Sequence, residues 1–276
     1  MTGNIDVNTV ASFGDEWSRF NQSALSADER LRIWRDYFSI FPFDRLPVAA
    51  SGFDMGCGSG RWACVVAPKV GFLHCIDPAE GALRIARENL SHCDNVMFHH
   101  GGVSGNSLAP DSQDFGYSLG VLHHIPDTAS ALKSCVRLLK PGAPFLLYVY
   151  YRFDHRPAWF RAVWKLSESI RKTVKGLPPG LKAMVSDALA GVVYFPMATL
   201  AKIVENVGGD VSMIPLSYYR DKSFYTMRTD CRDRFGTPLE QRFTRDELAA
   251  MMRDAGLNDI IFSDREPYWV ACGVKA

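Results

Sequence analysis

The spacing of apolar positions changes several times along this chain, and each change marks an element. From Glu16 to Phe20 and from Glu29 to Ile40 apolar residues recur at helical spacing (Leu31, Trp34, Phe38) until Pro42 and Pro47 end the pattern. Between residues 48 and 151 short apolar runs alternate with amphipathic stretches, which predicts strands at 50–55, 71–76, 95–99, 114–120 and 144–151. Right-handed crossovers would wind these into a parallel sheet with helices on both faces and ligands at the carboxyl ends of its strands. Residues 152–240 lose that rhythm. They hold a basic, aromatic stretch (Arg156, Trp159, Arg161, Trp164, Lys165), a turn at Pro178-Pro179-Gly180, and an Ala/Val-rich helical run to Val207. An aromatic, arginine-rich loop is expected from Tyr218 to Arg234. Thr244 to Glu247 reads as a capping box for a helix carrying Leu248, Met251 and Met252, and Gly256 can end it. Strands at 258–263 and 268–274 close the chain.

These patterns divide the chain into an N-terminal helical segment (1–46), a core (47–151), an insertion (152–240) and a final helix with a strand pair (241–276). Charge is balanced, with 31 basic and 30 acidic residues, so the electrostatic footprint of a nucleic-acid binder is missing. Seven scattered cysteines without a C-x-x-C pair suggest reduced thiols and a cytoplasmic protein. The N-terminus shows neither the basic region nor the apolar run of a secretory signal. The most apolar run, Ala188 to Ala198, is interrupted by Pro196 and reads as too short to span a bilayer, so stable membrane insertion is not expected. His99-His100 and His92-Cys93 lack a second pair at zinc spacing, so no metal site is expected.

The chemistry centres on Phe53-Asp54-Met55-Gly56-Cys57-Gly58-Ser59-Gly60, a strand that stops in alternating glycines and runs toward a helix expected to start at Arg61. Such a loop lets a ligand lie on bare main chain, with the free N–H groups of the helix aimed at it. A dinucleotide fingerprint wants its third glycine at position 61, where this chain has arginine; the glycine falls at Gly60. Asp77 ends the next apolar run, with Pro78 behind it, where a carboxylate can accept the hydroxyls of an adenosine ribose. Downstream lie Leu122-His123-His124-Ile125-Pro126-Asp127, Leu138-Leu139-Lys140-Pro141-Gly142 and the run Pro144 to Tyr151.

In this order the motifs resemble the class I methyltransferases that use S-adenosylmethionine (SAM), and among them the ubiquinone/menaquinone type of small-molecule enzymes. The resemblance covers about residues 50–151 and, more loosely, the last 35 or so. It implies an α/β fold: a doubly wound, mostly parallel seven-stranded sheet, its last strand antiparallel, with a helical lid inserted before the final strand pair. It implies SAM as cofactor, with S-adenosylhomocysteine as product. It assigns the methionine end of SAM to Asp54 and the backbone at Gly56, Cys57, Gly58 and Gly60. Asp77 and Pro78 would meet the ribose, backbone at Val103 and Ser104 the adenine, and the Leu119 carbonyl the amino group. The acidic residue usual at the third strand's end is replaced here by Gly102-Val103-Ser104.

Methyl transfer from an activated sulfonium needs positioning, and a base only where the acceptor must lose a proton. His123 and His124 follow the fourth strand, where a neutral imidazole could take that proton, or could simply order the loop. Tyr151 and Arg152 are expected at a strand tip facing the pocket, with Tyr148 and Tyr150 in the core. Trp17, a candidate contact for the acceptor, lies in a segment resembling those that fold over the cofactor, or else in an ordinary amphipathic helix docked on the sheet. Tyr218, Tyr219 and Arg220 could bind the acceptor from the insertion, or belong to a solvated, internally paired loop. The expected substrate is a small aromatic or lipid-like molecule methylated at O, N, C or S; a homodimer remains open. Two alternatives stand beside this reading, an NAD-dependent oxidoreductase and a non-catalytic SAM-binding protein on the same fold; a weaker one is membrane association through the apolar segment near Ala188 to Ala198.

Overall fold

The structure, a computed structural model, describes residues 4–22 and 24–276. Seven apolar runs pair into one sheet: β1 (Ser51–Met55), β2 (Phe72–Asp77), β3 (Val96–His100), β4 (Phe115–Leu119), β5 (Pro144–Tyr148), β6 (Leu257–Phe262) and β7 (Val270–Lys275). The strand order is β3-β2-β1-β4-β5-β7-β6. The first five strands pair in parallel, and β7 runs antiparallel to both β5 and β6. This is the expected doubly wound, mostly parallel sheet. Its order reverses between β1 and β4, the place where open sheets of this kind bind ligands at the carboxyl ends of their strands. Glycines let aromatic rings lie flat on the central strands. Phe115 covers its cross-strand partner Gly52, and Phe53 covers Gly116; a Cβ at either glycine would stand 2.3 Å from the ring.

The chain divides into two compact units. The first comprises the N-terminal segment through Gln22, Arg30–Arg152 and Leu239–Ala276; the second comprises Phe153–Pro238 and the short segment ending at Glu29. In chain order the helices are α1 (Val7–Arg19), α2 (Ala27–Phe38), α3 (Ala63–Val66), α4 (Glu80–Asn89) and α5 (Thr128–Leu138). There follow α6 (Ala158–Val174), α7 (Pro179–Leu189), α8 (Phe195–Asn206), α9 (Phe224–Gly236) and α10 (Arg245–Asp254). In the first unit one face of the sheet packs Leu132 and Val136 of α5 and Leu248 and Met252 of α10 around Phe53 and Phe145. The other packs Trp34 and Phe38 of α2, Val66 of α3 and Leu83 of α4 around Phe115 and Tyr117. The capping box at α10 is formed as expected, and Gly256 follows it at φ +92°.

Three expectations are corrected. The helix expected from Arg61 is only the four-residue α3 from Ala63, because Gly60 holds φ +75° in a turn closed by its amide on the Cys57 carbonyl, and Pro68 falls within the 3-10 turn that follows. Most of the loop expected from Tyr218 to Arg234 is a 3-10 turn (Ser217–Asp221) and the helix α9, whose N-terminus Ser223 caps by accepting from the Thr226 amide. Its buried residues (Met227, Thr229, Cys231, Phe235) lie all round the helix, so it shows no amphipathic period. Finally, Pro196 does not interrupt the apolar run. A π-helical turn at Ala190–Tyr194 precedes it, and such a turn accommodates the missing proline N–H. Helix is therefore continuous over 28 residues, Pro179–Asn206, long and apolar enough by length and composition to cross a membrane.

In the second unit the segment ending at Glu29 is joined through a carboxylate. Glu29 Oε1 accepts from the Ser223 amide at 2.8 Å and from the Thr226 hydroxyl at 2.7 Å.

Candidate active site

At the end of β1 the chain must turn back within a few residues of β2, and the glycines permit it. Gly56 has φ +79°, and a Cβ there would stand 2.4 Å from Val121 Cγ1. Gly58 has φ +53° beneath the indole of Trp17, which would be 3.1 Å from a Cβ. The loop amides turn inward. Gly56 and Cys57 both donate to the Ile76 carbonyl, at 2.8 and 3.0 Å, and Gly60 donates to Cys57 at 2.9 Å. The Gly58 amide donates to Asp77 Oδ2 at 2.9 Å, while Asp77 Oδ1 accepts from Ala79 at 2.8 Å. These four loop amides are thus engaged within the loop and its own sheet; the free N–H groups expected to face a ligand are those of a helix from Arg61, which the structure replaces by the short α3 from Ala63.

Two carboxylates are buried at this turn. Burial raises the Asp77 pKa to about 6 against the pull of its two amide donors and His100. Burial also raises Asp54 to about 8, the Tyr117 hydroxyl opposing the shift and Asp77 adding to it. Asp54 Oδ2 is buried without a hydrogen-bond partner. An orphaned carboxylate oxygen beside a second carboxylate is a site suited to a cation or hydroxyl donor.

The remaining cofactor candidates fall around this turn. The Pro78 carbonyl faces His100 Nε2 at 3.0 Å. Leu119 ends β4 opposite Tyr148, whose carbonyl accepts from Gly120 at 3.1 Å. Val103 is buried in the core and Ser104 is exposed. Cys57 is buried, and its thiol is raised well above the ordinary range, first by a hydrogen bond with Cys75 and then by burial, which suits packing.

The N-terminal segment crosses the same end of the sheet. The Asn4 side chain donates to the Asp127 carbonyl at 2.7 Å and accepts from its amide at 2.9 Å. Ile5 lies against Gly102, Phe13 meets the His124 ring edge-on at 5.1 Å, and Trp17 lies over Gly58. Trp17, expected near the acceptor, thus sits on the glycine loop.

His123 and His124 occupy a short 3-10 turn after β4, and both are buried. His124 Nδ1 lies 2.6 Å from the Leu239 carbonyl and must donate to it, so in the neutral ring Nε2 carries the lone pair. His123 packs tilted against Tyr150 and against His124, each at 4.0 Å between centroids, and neither of its ring nitrogens has a hydrogen-bond partner. Burial, then His124 and Arg242, push its pKa well below the ordinary range, so it stays neutral and a poor base.

The structure reverses the expected placement of Tyr150 and Tyr151. β5 ends at Tyr148, so strand alternation does not carry past it. Tyr150 packs tilted on His123, meets His124 at 5.7 Å and lies under the Arg242 guanidinium at 5.1 Å. Tyr151 turns to Tyr268 and Trp269, and Arg152 bonds Glu247 at 2.9 Å and the Arg242 carbonyl at 2.9 Å. The sequence pattern places Tyr150 in the core and does not single out Arg242, because no local signal marks the end of β5 at Tyr148. In the second unit Arg220 bonds Glu205 at 2.8 Å, and Tyr219 packs between Tyr194 and Tyr218. These three residues are held within their own unit.

The strand order, the glycine turn and the two carboxylates agree with a comparison to known families, in which the match covers residues 53–147. That stretch is similar to the methyltransferase domain family. Relatives of this domain include a demethylmenaquinone methyltransferase of Staphylococcus haemolyticus, 26% identical over 49% of this chain and 57% of that protein. A ubiquinone biosynthesis O-methyltransferase of Paracidovorax citrulli is 35% identical over 32% of this chain and 39% of that protein. The match thus spans little more than half of one relative and less than half of the other. A candidate methyltransferase structure from Bacillus halodurans shares the fold, with TM-score 0.50 and 14% identity over 85% of this chain and 72% of that one.

Proposed function

We infer that the chain is a SAM-dependent methyltransferase acting on a small aromatic or lipid-like acceptor. The observation that carries this reading is the direction of the loop amides. With Gly56, Cys57, Gly58 and Gly60 bonded inward, the turn is poorly made for a diphosphate, while Asp54 and Asp77 suit a cationic nucleoside. This favours SAM over a nicotinamide dinucleotide.

SAM supplies an electrophilic methyl group on its sulfonium, already activated for in-line displacement. Asp77 keeps lone pairs for the ribose hydroxyls after accepting two amides, and so would hold the nucleoside. Asp54 and the carbonyl side of the loop would hold the methionine end, with the Leu119 carbonyl on the amino group. Backbone at Val103 and Ser104 would border the adenine. Trp17 and Phe13, on α1, would exclude water from the reacting end.

We assign His124 as the base when the acceptor is a hydroxyl: Leu239 orients the ring, and Nε2 takes the proton as the methyl is received. His123 and Tyr150 would wall the acceptor and keep that ring in place. The two curated relatives are named for quinone biosynthesis, and a hydroxylated or reduced quinone ring is the acceptor class we carry over.

The test is transfer of labelled methyl from SAM to a panel of hydroxylated aromatic acceptors with and without prenyl tails. Transfer that Asp77→Ala and His124→Ala each depress supports the reading. Tight SAM binding with no transfer to any acceptor would support the non-catalytic alternative instead.

A further inference from the structure

Residues 239–243 open the last stretch of the first unit, ahead of α10, and are bonded on both sides. On one side lies the 3-10 turn that carries the histidines. There the Leu239 carbonyl accepts from His124 Nδ1 at 2.6 Å, and the Gln241 amide donates to the His123 carbonyl at 3.0 Å. On the other side lies the chain that follows β5. The Phe243 amide donates to the Tyr150 carbonyl at 2.9 Å, and the Phe243 carbonyl accepts from the Arg152 amide at 3.0 Å. The Leu239 amide is held in turn, donating to Thr9 Oγ1 of α1 at 3.3 Å.

Gln241 closes this arrangement. Its side-chain nitrogen donates to the Ile125 carbonyl at 2.7 Å and to Thr128 Oγ1 at 3.2 Å. Thr128 gives its own hydroxyl proton to the Leu122 carbonyl at 3.0 Å, so its oxygen accepts from Gln241. The carbonyls on either side of His124, those of His123 and Ile125, are therefore both taken by Gln241. The turn's own bonds, His124 to Val121 at 2.9 Å and Ile125 to Leu122 at 3.2 Å, set its shape but not its place against residues 239–243. That place decides whether Leu239 meets the ring. A base has to stand within about 2.6–3.2 Å of the proton's oxygen, so a supporting group that fixes the turn to a fraction of an ångström bears on the rate.

We propose, on the reading of His124 as the base, that Gln241 is a positioning residue for methyl transfer: it brackets the turn so that His124 Nε2 is held toward the acceptor hydroxyl. In that step the hydroxyl proton passes to Nε2, the oxygen bonds the methyl carbon, and the electron pair of the broken carbon–sulfur bond stays on sulfur. Gln241 acts through His124 and not on the acceptor.

The test compares Gln241→Met, His124→Ala and the double variant in the full chain, with the hydroxylated aromatic acceptor that the wild type methylates best. Methionine keeps the volume of Gln241 and removes both side-chain donors. Gln241→Met should lower kcat about 10- to 100-fold, with acceptor KM and SAM affinity within about threefold, which also shows that it folds. The double variant should be no slower than His124→Ala, within about twofold, because nothing is left to position. Gln241→Glu, similar in shape and unable to donate once ionised, should lose as much as Gln241→Met. Ring-nitrogen shifts of 15N-labelled histidine give a readout that needs no acceptor. His124 should carry its proton on Nδ1 in the wild type and exchange between both tautomers in Gln241→Met. Wild-type kcat in Gln241→Met, or a His124 still held in one tautomer there, would overturn the proposal. So would losses that multiply in the double variant, since Gln241 would then act apart from His124. Wild-type kcat in His124→Ala would sink the base reading and this proposal together; a loss in His124→Ala with none in Gln241→Met would sink this proposal alone.

Discussion

Asp77 Oδ2 accepts the Gly58 amide at 2.9 Å, so the acidic tip of β2, which we propose as the ribose ligand, also holds the glycine turn of β1. Removing the carboxylate therefore affects both. Asp77→Ala should weaken SAM binding by about 30- to 100-fold, the equivalent of two to three kcal/mol of hydrogen bonding. His124→Ala should change it by less than about threefold. Calorimetric titration of both variants checks this, and equal losses would show that the ribose or the histidine is misplaced.

The two raised carboxylates predict how stability depends on pH. Each has a folded pKa above its unfolded value of 3.8: about 6 for Asp77 and about 8 for Asp54. The folded chain then holds protons that the unfolded chain has released, so stability falls as pH rises through that window. Without SAM, unfolding free energy should drop by a few kcal/mol from pH 5 to 8. Asp54→Asn should flatten the upper part of the curve. A wild-type curve that rises over this range would refute the assignment.

Trp17 and Gly58 should be energetically coupled. Gly58→Ala must hold φ +53° and place a methyl 3.1 Å from the indole, so it should cost about 1–3 kcal/mol. Trp17→Ala should relieve the steric part and leave the backbone part. A double-mutant cycle in denaturant measures the coupling, expected at 0.5 kcal/mol or more by the usual range for contacting residues, about 0.5–3.

The histidines should separate in kinetics. With a hydroxyl acceptor, His124→Ala should lower kcat by about 100-fold or more, with little change in SAM affinity. His123, neutral through burial, should matter through packing. His123→Phe, which keeps a ring packed against Tyr150, should retain activity within about tenfold. A pH–rate limb lost only in His124→Ala would support its role, and one lost only in His123→Phe would reverse the assignment.

The sheet was legible in the sequence because its strands are short apolar runs bounded by turn residues; six of the seven fall within two residues at each end. The exception is the end of β5, carried to Tyr151 by an apolar run that continues after the strand stops at Tyr148. That overrun exchanged Tyr150 with Tyr151. The glycine turn was legible as a turn, while the inward direction of its amides depends on the Ile76 carbonyl and Asp77 from a neighbouring strand. Helix α9 was missed because it is buried on several sides, which erases the helical period. Asn4, paired with Asp127 across 123 positions, leaves no local signal at all.

The most direct test of the SAM site is a calorimetric titration of the full chain with SAM, S-adenosylhomocysteine and NADH at one pH. The account predicts saturable binding of SAM and S-adenosylhomocysteine, lost in Asp77→Ala, with no heat from NADH. Tight NADH binding with no response to SAM would contradict it.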